Sequence, residues 1–256
     1  MQVRSVAAGR GWRWIVEGIA LFQKSPLMWL TITLGLFIAY KLILFIPIIG
    51  VAAILLMPII LVGLMEGCRA LDVGQELKPA YLLSGFTRNT GALAMLGAMY
   101  LLGNLLIVVI ITTLGGEALM EVLKFMSTQK VTPENIHLIR EAVSKATFAV
   151  MAGWLLSVPL IMACWFSPLL VYLHDMKILT AMGVSLKACL QNMMPFVVYG
   201  GLLFLALMLV TPLSMATRIL DLGMWLLAPL VIPSIYASYK DIFPATNTPS
   251  TKATTA

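Results

Sequence analysis

The sequence predicts an all-α integral membrane protein. It has about six transmembrane helices, set out as three parallel repeats of an interfacial helix plus a helical hairpin, with a short helical outer loop. Three observations carry that prediction. Of 256 residues, 61% are hydrophobic and 11% charged, against roughly 25% charged in a soluble domain. The apolar residues gather into runs long enough to cross a bilayer, which takes about 20 residues of helix. The order of amphipathic stretch, run, run recurs three times along the chain. Such a composition excludes a globular cytosolic enzyme, a disordered chain and a nucleic-acid binder.

The predicted spans are 26–46, 47–67, 91–113, 146–173, 193–211 and 219–239, within a single transmembrane domain, 1–243. Only the Ile46-Pro47 junction separates the first two; Pro47 and Gly50 favour a hairpin over one long helix, because proline breaks the ladder and restricts the residue before it. The stretch from Pro212 to Leu220 is predicted to join the fifth and sixth. The outer loop, 114–145, reads as two short helices: Leu119, Val122, Leu123 and Met126 recur at helical spacing, and Thr132-Pro133 is a helix start leading into the stripe Ile136, Ile139, Val143 and Ala146. The Thr-, Ser- and Pro-rich tail, 244–256, is expected to be a disordered cytoplasmic segment.

The even spans each carry a proline before a branched apolar run, at Pro58, Pro168 and Pro229. The segments before the odd spans read as interfacial helices. Trp12, Ile15, Ile19 and Phe22 share one face in the first, and Leu179, Met182, Leu186 and Leu190 in the third; both faces are expected at the headgroup boundary. Trp12, Trp14, Trp29, Tyr236, Tyr239 and Lys240 suit the same interface. With the N-terminus inside, 11 of the 17 Lys and Arg residues fall on the inner side and six on the outer, which places both termini in the cytoplasm.

Chemistry-bearing residues are few. Cys68, Cys164 and Cys189 form no C-x-x-C pair and no zinc spacing, so free thiols are expected. The first 25 residues hold no signal-peptide core. Nucleophile elbow, P-loop, dinucleotide and zincin motifs are absent, so the prediction is no enzyme: no catalytic residues, no cofactor and no metal. The candidate functional polar residues in or near the membrane are Lys41, well inside the first span, and Asn104 in the third. Lys41 is expected to snorkel to the surface, and Asn104 to bond between helices. His174 and Asp175 read as a solvated interfacial pair, Arg218 and Asp221 as a surface salt bridge, and Glu66, Arg69, Asp72 and Glu76 as a solvated helix exit. The expected partners are membrane lipids and a membrane-protein complex, with no nucleic acid. The expected role is an accessory subunit, scaffold or lipid-organising factor; the alternative is a transporter or channel for a lipid or small hydrophobic solute.

Gly11-Trp12, Gly18, Leu21-Phe22, Ser25-Pro26, Trp29, Pro47-Ile-Ile-Gly50 and the Pro58 run resemble the first half of an uncharacterised family of proteobacterial polytopic inner-membrane proteins. Ser167-Pro168-Leu169-Leu170, then Ala181, Ser185, Ala188 and Asn192, and the closing Tyr236–Phe243 resemble its second half. The family is similar in style to the membrane domain of some glycerophosphodiesterases. The resemblance covers most of residues 9–243 and implies the bacterial inner membrane. It brings no activity and no functional residues with it.

Overall fold

Residues 3–44, 47–128, 136–217 and 222–244 are described in a computed structural model of the chain. Among them all regular structure is helical. In chain order the elements are α1 (Arg10–Gln23), α2 (Pro26–Leu44), α3 (Pro47–Asp72), a 3₁₀ helix (Pro79–Phe86), α4 (Thr90–Thr128), α5 (Ile136–Trp165), α6 (Ser167–His174), α7 (Ile178–Gln191), α8 (Met193–Thr217) and α9 (Leu222–Ile242). Six stretches are long and apolar enough to cross a membrane: Pro26–Ile43, Ala53–Asp72, Thr90–Phe125, His137–His174, Met193–Thr217 and Leu222–Ile242. The order of short segment, span, span therefore recurs three times, although the middle short segment is a 3₁₀ helix and the other two are α-helices.

The observed spans depart from the predicted bounds by a few residues at several ends, the outer loop and Pro212 being the places that bear on architecture. The first helix predicted in the outer loop is the part of α4 that follows a break at Gly115, and the second runs straight into the fourth span, since α5 is continuous from Ile136 to Trp165. Pro212 does not end the fifth span; it lies inside α8, which reaches Thr217. Helix remains the best state for backbone in lipid, where each polar group needs an internal partner, and Thr211 Oγ1 adds a 2.7 Å bond to the Leu207 carbonyl just before the proline. The Ile46-Pro47 junction, the Thr132-Pro133 helix start, the Arg218/Asp221 pair and the tail from Ala245 lie outside the described residues.

The chain packs as two units, one of Met1–Phe45, Gly63–Ser84 and Lys187–Ala256, the other of Ile46–Val62 and Gly85–Leu186. In the first, α1 packs on α8 and α9, and α2 on α9. The buried face of α1 is Gly11, Trp14, Gly18 and Leu21, while Trp12, on the stripe expected at the headgroup boundary, is 54% exposed. Glycine allows the close approach. A Cβ at Gly11 would lie 2.2 Å from the Pro195 carbonyl oxygen, and one at Gly18 2.7 Å from Ser234 Cβ. Trp14 then fills the space beside Phe196 and Tyr199, with ring centroids at 5.2 and 5.9 Å.

In the second unit α4 lies along α5, and α6 packs on both. The buried face of α5 runs through Ala142, Ala146 and Ala149, whereas Val143, Phe148 and Trp154 are exposed. On α7 the inward positions are Ala181, Ser185, Ala188 and Cys189, and Leu179 of the predicted stripe is 73% exposed. On α5 and α7 small residues face protein and large apolar residues face out, and on α1 two glycines share the inward face with Trp14 and Leu21. Water expels large side chains into a core, but lipid does not, so close packing of small faces decides the inside.

Between α5 and α6 the helix breaks at Phe166, with Pro168 in the first turn of α6. Phe166 N–H donates to Ser185 Oγ at 3.0 Å, and Ser185 Oγ–H donates to the Met162 carbonyl at 2.6 Å. The hydroxyl is inserted into the ladder bond that Phe166 and Met162 share in an unbroken helix.

Candidate functional site

The polar side chains of the first unit converge where α1 starts and α9 ends. Glu17 lies seven residues after Arg10, so the guanidinium reaches along its own helix to that carboxylate at 3.0 Å. Its Nε donates to Asp241 Oδ2 at 2.5 Å, and Trp14 Nε1 donates to the same oxygen at 2.9 Å. The Asp241 side chain is only 9% exposed, so both donors hold a nearly desolvated carboxylate. Burial works to lower the Arg10 pKa, but its two carboxylate partners outweigh it and raise the value. On the other face of α9, Lys240 Nζ meets Asp72 Oδ2 at 2.5 Å, and the Tyr236 hydroxyl donates to that oxygen at 3.5 Å. Lys24 Nζ caps the Leu71 carbonyl at 2.8 Å.

Asn192, between α7 and α8, is fully buried. Its Oδ1 accepts the Val6 N–H at 2.8 Å; its Nδ2 donates to the carbonyls of Arg4 at 3.0 Å and Ala188 at 2.9 Å. The Arg4 N–H donates to the Ile242 carbonyl at 2.9 Å. The chain before α1 is thus tied to both helix ends. Deeper in the unit, the buried Tyr199 hydroxyl donates to Ser234 Oγ at 2.6 Å, and Ser234 donates to the Val231 carbonyl at 2.7 Å.

In the second unit Asp175 caps α6 in the left-handed region, φ 51°, and Asn89 before α4 sits at φ 57°. Asn and Asp adopt this geometry more readily than other side chains because they bond locally. Here they bond each other: Asn89 Nδ2 donates to Asp175 Oδ1 at 2.8 Å and to the Val171 carbonyl at 2.9 Å, and Arg88 pairs with Asp175 Oδ2. The Asn89 amide, then the Arg88 guanidinium, hold the Asp175 carboxyl below its usual range.

The same unit has a cleft of about 510 Å³ where α4 departs from helical geometry at Gly115 (φ −161°, ψ 19°). Thr112, Glu117, Glu121, Glu141 and Lys145 line it. A Cβ at position 115 would sit 2.7 Å from Ala149 Cβ and 3.1 Å from the Lys145 carbonyl oxygen, so glycine is what lets α5 press against the break. Lys145 Nζ pairs with Glu141 Oε1 at 2.9 Å.

Of the two sequence-predicted candidates, Lys41 lies near the end of α2 with its Nζ 5.3 Å from the Phe37 ring and 5.8 Å from the Tyr40 ring. Both rings pack on Trp225. Asn104 donates back to the Tyr100 carbonyl of its own helix at 2.8 Å and so bonds within α4. The structure does not bring the two into one unit. Several predicted interface anchors are instead core: Trp14 and Trp29 have no exposed surface, and Tyr236 and Tyr239 are 5% and 6% exposed. Asp72 and Asp175 are not merely solvated; each holds a residue distant in sequence. Within the predicted helix exit, Glu66 does pair with Arg69 at 2.9 Å. The three thiols are unbridged, and burial pushes Cys189 up to about 12. Among the described residues, no three His, Cys, Asp or Glu side chains are grouped to hold a metal ion.

Sequence reasoning had Ser185, Asn192 and Asp241 only as residues of the resemblance, without their bonds, and missed the pairing of Arg10 with Asp241. One signal was present: each repeat closes on an aspartate, Asp72, Asp175 or Asp241, just past its second span. No family model matches the chain, and no solved structure matches it. A probable inner membrane protein of Burkholderia thailandensis is 31% identical over 261 residues, covering 95% of this chain and 94% of that protein. That likeness, with six apolar helices in the described residues, makes this a multi-pass protein of the bacterial inner membrane in contact with lipid. The chain belongs to the same uncharacterised inner-membrane protein family as that Burkholderia protein.

Proposed function

We propose that the protein is a non-enzymatic scaffold of the inner membrane, acting as an accessory subunit or lipid-organising factor, with both termini in the cytoplasm. One observation carries the reading: four of the six spans keep little of their surface for the rest of the chain, whereas those of α3 and α9 are 50% and 44% buried. Only 17% of the span windows in α2 and α4, and 11% of those in α5 and α8, is buried within the chain. The outward faces are built of large apolar side chains such as Phe148, Trp154, Phe204 and Leu209, which suits lateral contact with lipid and neighbouring helices. The polar side chains near the helix ends are spent on one another: Arg10 with Asp241, Lys240 with Asp72 and Arg88 with Asp175.

Native mass spectrometry after mild extraction from the source membrane tests the role. A stoichiometric protein partner establishes the accessory subunit; a chain carrying only lipid removes that reading and leaves lipid organisation. Reporter fusions at each terminus test the orientation.

The break in α4 favours a second reading, a transporter or channel for a lipid or small hydrophobic solute, since transporters bind at interrupted helices. Lys41→Gln discriminates: a transporter that uses this cation loses transport while still inserting, and a scaffold loses nothing.

A further inference from the structure

We infer that the first turn of α8, together with α1 and the chain before it, forms a docking surface for the headgroup of an anionic phospholipid. The inference deepens the lipid-organising reading above and rests on it. Three features meet there, all in the first unit. The first is backbone proximity. Asn192 Nδ2 holds the carbonyls of Arg4 and Ala188 together, which sets the backbone of Arg4 one residue from that of Lys187. Gly11 lies against the Pro195 carbonyl, which sets the backbone of Trp12 and Arg13, on the outward side of α1, within two residues of the contact with the first turn of α8. The second is charge. Arg4, Arg13 and Lys187 are exposed and make no ion pair among the described residues. The nearby carboxylates, Glu17 and Asp241, are both taken by Arg10. Four cations against two carboxylates leave this end positive. The third is an apolar border: Trp12, Met194 and Val197 are 54%, 69% and 62% exposed.

Exposed cations on neighbouring backbone, bordered by an indole and aliphatic side chains, match a phosphate headgroup with the first carbons of its acyl chains. A soluble anion satisfies the charge alone and leaves the apolar border in water. An acidic protein surface needs no indole at acyl depth. The combination fits a lipid.

The test is lipid retention by the purified full chain, measured by native mass spectrometry with added phosphatidylglycerol or phosphatidylcholine of identical acyl chains. Phosphatidylglycerol should be retained preferentially. Each cation removed should weaken retention roughly fivefold, so that Arg4→Gln/Arg13→Gln/Lys187→Gln loses on the order of a hundredfold. Lys145→Gln, in the other unit, should leave retention unchanged. If the triple variant does not fold, Arg13→Gln alone should show the fivefold loss. Wild-type retention should also fall as salt rises from about 0.05 to about 0.5 M, where screening closes to a few ångströms. Equal retention of the two lipids overturns the inference. So does an equal loss in Lys145→Gln, or displacement of the lipid by inorganic phosphate at matched concentration. Retention is read on the isolated chain, so the absence of a protein partner in native extracts ends the accessory-subunit reading without touching this one.

Discussion

Ser185 completes a helix it does not belong to: its hydroxyl accepts the Phe166 N–H at 3.0 Å and passes the bond on to Met162 of α5. Removing the hydroxyl strands a donor and an acceptor at a fully buried position. Ser185→Ala should lower the unfolding free energy by about 1–3 kcal/mol. Gly183→Ala, two residues away with nothing within 4 Å of a new Cβ, should be neutral or stabilising by up to about 1 kcal/mol. Thermal unfolding of both variants in one detergent checks the contrast; equal Tm values would mean that the relay contributes nothing.

Gly18 and Gly9 offer a similar comparison for α1. A methyl at Gly18 meets Ser234 Cβ at 2.7 Å and the Ser234 backbone nitrogen at the same distance, while one at Gly9 meets nothing within 4 Å. Gly18→Ala should cost about 1–3 kcal/mol by overpacking the contact with α9. Gly9→Ala should leave the unfolding midpoint in place.

Asn192→Ala should free the chain before α1. The variant loses the bonds to Val6, Arg4 and Ala188, and the Val6 N–H loses its acceptor at a cost of about 1–3 kcal/mol. Hydrogen exchange at Val6 should accelerate and proteases should cut before α1. An unchanged exchange rate would show that α1 alone holds the segment.

Acid should weaken the link between α6 and the start of α4. Asn89 and Arg88 lower the Asp175 pKa in the folded chain. The stabilisation is therefore fully present above the free carboxylate value of about 4 and is lost as pH falls through the lower folded value. Asp175→Asn keeps a side chain that accepts the left-handed backbone and carries no charge. The Tm gap between wild type and variant should be constant at neutral pH and close in acid; a gap independent of pH would remove the ion pair as its cause.

The spans were legible because twenty apolar residues in a row have few other uses, and their order revealed the repeat. The inward faces were not. The stripe Trp12, Ile15, Ile19 and Phe22 points to the headgroup boundary, but nothing in it names Gly11, Trp14, Gly18 and Leu21, which the helix turns to the protein. A rule tuned to water ranks positions by size, and lipid removes that ranking. Polar pairing escaped for another reason. Arg10 and Asp241 are 231 residues apart, and nothing local marks one as the partner of the other. Lys41 stands out as a charge inside a span, and its ammonium lies 5.3 Å from the Phe37 ring and 5.8 Å from the Tyr40 ring. Pro212 was read with soluble-helix rules, under which proline ends a helix.

The inversion of small and large faces sets how the sequence can drift. In a water-soluble relative of similar size, surface positions vary freely and large core residues resist change. Here Leu209, Leu155 and Leu179 can trade places with any oily side chain at little cost, whereas Gly18, Ala149 and Ala181 admit almost nothing larger. A saturation scan should therefore find the least forgiving positions among the smallest residues. Homologues should diverge most along the bulky faces and keep their glycines and alanines.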